Sequence, residues 1–376
     1  MNVLAISYGR NLFNASNPER ARMKACALVV ESLHIIVFAR TKENFIPVND
    51  GNLFIYPTGG STKLSMVVRG FFLGRKLLKE HHLSDVVITT QDPFEAGLVG
   101  YLLAKLFSIP VNLQEHGDFY STPYWRQESI LNTLRHSLGI FLLRRATTVR
   151  VVSKRIKNTL KQNGIKEELI RELSVAVPVE KFLNAPPSAR ARELFASDAI
   201  IVLSVARFVP QKNLTLLIES FASAYKKEPR LRLLLIGEGP EKKRLVQLIA
   251  TFFPQNTTET IIKIIPWTDD VPAYMKSADI YALSSNYEGY ARVLPEAMAS
   301  GLPIVTTDVG CVGEVCLLNE HALVVPVNAR TAFTDALVTL AQDKEMQRRF
   351  KESSQKTMET VALESHDYPT RWLKAL

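Results

Sequence analysis

Short apolar runs alternate with helix-length segments from one end of the chain to the other, and no other feature narrows the fold as much. The runs VLAIS, HIIVFA, LFIY, DVVITT, PVNLQ and TTVRVVS occupy the first half. AIIVLSVA, LRLLLIG, IIKII, DIYALS, PIVTT and ALVVP occupy the second. Strands separated by helices imply parallel sheets covered on both faces. A chain of 376 residues exceeds the size at which a single core stops growing, so two domains are expected. The rhythm is interrupted in LSVAVPVEKFLNAPPSARARE, where Pro178, Pro186 and Pro187 break regular structure. These signals predict an α/β protein of two doubly wound parallel-sheet domains, 1–182 and 183–360, facing across a cleft. In such sheets ligands sit outside the carboxyl ends of the strands, so residues that follow strands matter most.

Bulk properties exclude several classes. Hydrophobic residues make up 47 % and charged residues 22 %, as in ordinary globular domains. No apolar run approaches the roughly 18 residues of a membrane-spanning helix. The N-terminal MNVLAISYGRNLFN reads as a buried strand rather than a leader. Cys26, Cys311 and Cys316 have no metal-site spacing, and reduced thiols of a cytoplasmic protein are expected. Residues 1–182 hold 24 Lys and Arg against 15 Asp and Glu, while the remainder holds 22 against 22, so the net charge of +9 belongs to the first half. From Arg126 to Arg171 there are 11 basic residues and three acids. Such a face is either simply solvated or a partner surface for an anionic membrane or nucleic acid. ILNTLRHSLGIFLLRR (130–145) adds apolar and basic residues at near-helical spacing, which favours docking on an inner leaflet. Aromatic and basic residues are not interleaved, so nucleic acid is not expected.

Three segments of the second half carry chemistry. After the strand IIVLSVA come Arg207 and, five residues on, Lys212 at the head of a helix. Two cations so placed suit a diphosphate, though solvated charges share that spacing. LRLLLIGEGPEKKRL sets Gly237, Glu238 and Gly239 between a strand and a helix, where backbone approaches a ligand closely. EGYARVLPEAMASG sets Glu288 and Glu296 eight positions apart, the second opening a helix. In the first half, VNLQEHGDFY places His116 and Gly117 after a strand. No Asp-x-Asp occurs, so no metal site is expected and the protein's own cations must neutralise a diphosphate.

Taken in order, SVARFVPQKNLTLLIESFA, LLLIGEGPEKKRL and SADIYALSSNYEGYARVLPEAMASGLPIVTTDVG resemble the nucleotide-sugar domain of retaining glycosyltransferases of family 4, most closely over 198–315. These enzymes have the GT-B fold of two Rossmann-like domains. The resemblance implies that the first domain binds acceptor and that a C-terminal segment, 361–376, crosses back onto it through Trp372 and Leu373. It implies a Glu-x7-Glu motif in which Glu296 accepts from the ribose hydroxyls and Glu288 from those of the transferred sugar. Arg207 and Lys212 then bind diphosphate, and His116 positions the sugar. Gly237, Gly289, Tyr290, Ala291 and Val293 line the donor. Trp267 either stacks on the base or fills core. No protein nucleophile and no cofactor are implied.

The function implied is a metal-independent, retaining hexosyltransferase. It uses a UDP- or GDP-linked donor and a glycan or lipid-linked acceptor in cell-surface polysaccharide synthesis, in the cytoplasm or peripheral to the inner leaflet. The alternatives are a degenerate sugar-nucleotide-binding protein and a sugar-nucleotide epimerase, against which the Glu-x7-Glu segment argues. Three departures stand out. The first loop offers only Gly9, SVAVP (174–178) lacks the usual Asn and Gly, and Ala291 replaces a frequent glycine.

Overall fold

The structure, a computed structural model, describes residues 1–80, 85–253, 260–365 and 367–376. The chain divides into two compact units, Met1–Ser174 with His366–Leu376, and Val175–Ser365. The division falls inside SVAVP rather than after residue 182. The helix Val179–Leu183 buries Val179 and Phe182 and packs against the helices Val293–Ala299 and Lys344–Ser365, so it belongs to the second unit. The return to the first unit begins at 366 rather than 361 because Lys344–Ser365 continues unbroken to its end.

In the first unit, β1 (Asn2–Ser7), β2 (Ser32–Val37), β3 (Val48–Asp50), β4 (Leu53–Pro57), β5 (Val86–Thr90), β6 (Val111–Glu115), β7 (Thr148–Val151) and β8 (Ile170–Glu172) form one sheet. Their order is β3-β4-β2-β1-β5-β6-β7-β8, and only β3 on β4 is antiparallel. The three-residue strands β3 and β8 form the two edges and were not expected. The inner strands are buried on both faces, hence their continuous apolar runs.

The C-terminal helix Tyr368–Lys374 is part of this unit. Trp372 and Ala375 join a core cluster with Val3, Leu33, Ile35 and Val87. Asn112 Nδ2 donates to the Ala375 carbonyl at 3.0 Å, Thr148 Oγ1 to that of Leu376 at 2.6 Å, and Arg150 Nη2 to the Tyr368 hydroxyl at 2.9 Å. Arg150 is thereby buried and structural, and it leaves the basic surface read from 126–171. Other members of that run are internally paired as well: Arg135 with Glu95, and Lys157 and Lys161 with Glu167.

In the second unit, β9 (Ile200–Val205), β10 (Leu231–Ile236), β11 (Ile262–Ile265), β12 (Ile280–Leu283), β13 (Ile304–Thr307) and β14 (Ala322–Val325) form an all-parallel sheet of order β11-β10-β9-β12-β13-β14. The strand order reverses between β9 and β12, the switch point at which open α/β sheets bind ligands. The helix Leu214–Lys227 lays Leu217, Ile218 and Phe221 on the sheet, fully buried, and so fixes the loop that precedes it.

Replacing Trp372 with Ala removes the largest contact of the returning helix. It is expected to cost about 3–5 kcal/mol, read as a lower urea midpoint. An unchanged midpoint would mean that the returning helix adds nothing to the first unit.

Candidate functional site

At the switch point of the second unit, the loops after β9 and β12 are laced together. The Asn286 amide donates to the Gln211 carbonyl at 2.8 Å, Gln211 Nε2 to that of Tyr287 at 3.0 Å, and Ser284 Oγ to that of Lys212 at 2.9 Å. Asn213 takes a left-handed backbone, caps the helix Leu214–Lys227 by accepting from the Leu216 amide, and donates to Asn286 Oδ1 at 2.9 Å. This lacing aims the Lys212 ammonium at the Glu288 carboxylate, with which it forms a hydrogen-bonded ion pair. The same carboxylate oxygen accepts from Ser285 Oγ at 2.7 Å. Ser285 is held in turn, because its carbonyl accepts from Thr307 Oγ1.

Arg207, by contrast, is exposed and makes no side-chain hydrogen bond or ion pair among the described residues. The two cations expected to share a diphosphate thus sit on one loop in different states. Lys212 is neutralised by Glu288, and Arg207 is open to solvent.

Glu296 lies in the first turn of the helix Val293–Ala299. Its partners are weak: Arg292 stands 3.9 Å away on an exposed side chain. Burial pushes the Glu296 carboxyl up to about 7, against the pull of Arg292 and Lys181. A buried carboxyl with spare lone pairs suits a ligand that donates hydrogen bonds.

Between the two glutamates, Gly289, Tyr290 and Ala291 are buried, and Val293 opens the helix half-buried. Ala291 has φ of 62°, a left-handed backbone that costs a residue with a Cβ about 1 kcal/mol. The position therefore does demand the conformation that a glycine would take freely. Gly310 accommodates the strained loop, since a Cβ there would come within 2.6 Å of the Tyr290 carbonyl oxygen.

Gly237 has a packing reason beyond any ligand, because a Cβ at that position would lie 1.9 Å from the Ala206 carbonyl oxygen. Trp267 is 60 % exposed, so it does not fill the core and is free to stack on a planar ring.

His116 belongs to the first unit, after β6. Arg150 Nη1 donates to Gln114 Oε1 at 3.0 Å, and Gln114 Nε2 donates to Thr89 Oγ1, which fixes the amide's orientation. The His116 Nε2–H therefore donates to that same Oε1 at 2.7 Å, leaving Nδ1 as an acceptor. Burial, with Arg150 and Arg22 nearby, depresses the imidazole to about 3, so the ring stays neutral. Gly117 must lack a Cβ because the Phe119 ring lies 2.2 Å from where one would stand.

The sequence reading missed a cavity of about 430 Å³ in the first unit, lined by Tyr8, Arg10, Phe38, Asp92, Phe94 and Trp125 among others. It lies at that sheet's own switch point, after β1 and β5. The only available signal was the polar QDPF directly following DVVITT. Also missed were Gln211, Asn213, Ser284 and Ser285, which hold the ion pair.

Replacing Ala291 with Gly is expected to relieve its backbone strain and raise the melting temperature by about 2–4 °C. A fall in melting temperature would show that the alanine methyl packs more than its backbone strains.

Residues 187–357 match the family described as glycosyl transferases group 1, and residues 27–181 match the family described as Glycosyltransferase Family 4. The putative glycosyltransferase EpsF of Bacillus subtilis (strain 168) is 27 % identical over 69 % of this chain. The α-monoglucosyldiacylglycerol synthase of Streptococcus pneumoniae (strain ATCC BAA-255 / R6) is 25 % identical over 63 % of it. The chain spans 65 % of EpsF's length and 54 % of the synthase's. Among solved structures, Anabaena HepE in complex with UDP-glucose superposes with a TM-score of 0.76, at 18 % identity and over 100 % of both chains. The two family matches between them span most of the chain, over two parallel sheets of doubly wound order. The protein belongs to the group 1 glycosyltransferases and has the GT-B fold.

Proposed function

We propose that the protein is a retaining hexosyltransferase whose donor, a UDP- or GDP-linked hexose, binds at the switch point of the second unit. The Lys212–Glu288 pair carries this reading. It is a charge-neutral arrangement that a donor can open. The diphosphate takes the Lys212 ammonium together with Arg207, and the sugar hydroxyls donate to the Glu288 carboxylate freed from it. Glu296 accepts from the ribose diol, Gly237 brings backbone close to the diphosphate, and Trp267 offers its exposed face to the base. Gly289, Tyr290, Ala291 and Val293 shape the wall beside the sugar.

Transfer breaks the bond between the sugar's anomeric carbon and the β-phosphate oxygen. It forms a bond from the acceptor hydroxyl oxygen on the same face, and the acceptor's proton passes to the departing phosphate. Arg207 and Lys212 stabilise the charge that grows on that phosphate, so no metal is needed in this scheme. Neutral His116, with Nε2 occupied by Gln114, is read as positioning the sugar rather than as a base.

The acceptor is a hydroxyl of a glycan or lipid-linked saccharide. The first unit's cavity suits it, with aromatic walls for a sugar ring and Asp92 and Arg10 for its hydroxyls. Two further relatives, LpsE of Rhizobium meliloti (strain 1021) and AmsD of Erwinia amylovora, are named for lipopolysaccharide core and amylovoran biosynthesis, which supports a cell-surface product. Among the described residues no helix is long and apolar enough to cross a membrane. The charge excess of the first half supports a cytoplasmic enzyme peripheral to an anionic leaflet.

A thermal-shift screen against UDP, GDP, ADP and TDP, with and without EDTA, tests the donor assignment. One nucleotide at 100 times its Kd is expected to stabilise by about 2.7 kcal/mol regardless of EDTA. No shift with any of them would refute the donor site, and a shift abolished by EDTA would refute metal independence.

Glu296 adds a pH signature. Its folded pKa, near 7, exceeds the ordinary 4.5, so the folded state is the better proton binder between those values. Its ionisation therefore lowers stability as pH rises through that window. Urea midpoints taken on either side of the window are expected to fall less for Glu296→Gln than for the native protein. Parallel falls would mean that the carboxyl titrates normally.

A further inference from the structure

The helices Lys63–Glu80, Glu95–Phe107 and Ile130–Leu143 of the first unit pack side by side. Gly74 of the first meets Leu103 of the second so closely that a Cβ there would fall 2.5 Å from the leucine methyl. Tyr101 of the second meets Phe141 of the third edge-on, with ring centroids 6.5 Å apart. Each helix buries its inner face and also carries an outer apolar stripe. Leu64, Val68 and Phe72 stand four apart on the first, Leu102 and Leu106 on the second, and Ile130 and Leu134 on the third, spacings that align side chains along one helix face. These side chains are not marginally exposed: Ile130 is 85 % accessible, Leu64 72 % and Leu134 64 %. Nine of the nineteen large apolar side chains exposed among the described residues lie on these three helices. A concentration of that kind marks an interaction surface.

The charge on the same helices selects the partner. They carry seven basic side chains and two acids, Glu80 and Glu95. Glu80 pairs with Lys76 and Glu95 with Arg135, so five of the seven basic side chains remain without an ion pair among the described residues. Beyond the third helix, Arg145 lays its guanidinium 3.7 Å over the Phe141 ring, joining cation and apolar surface at one spot. Two copies of such a face would set like charges against each other.

We propose that the outer face of these three helices docks on an anionic lipid bilayer, with the apolar stripes inserted among the acyl chain ends and the basic side chains on the phosphates. This extends the proposed function from general electrostatic attraction to a defined surface. It also shifts the contact from the single segment 130–145 to three helices. Anchoring by insertion plus charge is the two-signal arrangement that holds a protein stably to a membrane.

The test is co-sedimentation of the full chain with phosphatidylcholine vesicles, alone or with one-third phosphatidylglycerol. The probe variant is the triple substitution Leu64→Ser, Phe72→Ser and Leu134→Ser, whose exposed positions leave the cores intact. Native protein is expected to partition to anionic vesicles and to lose that binding in high salt. The triple variant is expected to bind about tenfold less while keeping its circular dichroism and the melting shift given by whichever nucleotide stabilises the native protein. Equal binding by both proteins, or no binding by the native one, would overturn the proposal. So would light scattering showing a dimer that the triple variant dissolves. Failure of the donor reading would show instead as no melting shift with any of the four nucleotides, a measurement that needs no vesicles.

Discussion

The ion pair between Lys212 and Glu288 is the contact around which the second unit's loops are organised. Neither residue could be held there by its own backbone alone. Lys212 ends a short turn after β9, and its carbonyl is pinned by Ser284. Glu288 lies in a buried irregular loop after β12, where its carboxylate is steadied by Ser285. A largely buried charge must be paired, because removing one partner of such a pair costs about 3–5 kcal/mol. The lacing of Gln211, Asn213, Asn286 and Thr307 is what makes that pairing geometry available. A donor that supplies a diphosphate and hydroxyl groups supplies both replacement partners at once, so the site can exchange one satisfied state for another.

Strain and sterics point to the same loop. The left-handed Ala291 and the buried Tyr290 lie in one turn, and Gly310, in the loop after β13, packs against it too closely to carry a Cβ. The turn delivers Glu288 and Glu296 to opposite ends of one short stretch. One is neutralised by a lysine, and the other is left with a raised pKa and a distant arginine. Two carboxyls in such different environments suit different tasks, one close to moving charge and one accepting from a neutral diol.

Much of this was legible in the sequence, and the reasons are particular. All six strands of the second unit were readable because parallel strands buried on both faces are continuous apolar runs. The edge strands β3 and β8 were not, since three residues carry no period. Arg207 could be singled out after a strand and Lys212 and Glu296 near helix starts, whereas Glu288, in a loop, was marked only by its eight-residue spacing from Glu296 and by the family resemblance. The Lys212–Glu288 contact itself was invisible, because it depends on carbonyl contacts from Gln211 and Ser284 that no spacing encodes. The cavity of the first unit was equally hidden, since its walls come from Tyr8, Phe38, Asp92 and Trp125, far apart in the chain. Trp267 was left open between two roles, and only its exposure decides against the core.

The central claim is that Glu288 restrains Lys212 until a donor's sugar and diphosphate separate them. Isothermal titration of UDP and UDP-glucose into native protein and Glu288→Gln tests it most directly. The account predicts that the variant binds UDP at least as tightly as the native protein, because the lysine is released. It also predicts that the variant loses the additional affinity for UDP-glucose that the carboxylate provides. Equal weakening of both ligands would contradict the account and reduce Glu288 to a structural support for its loop.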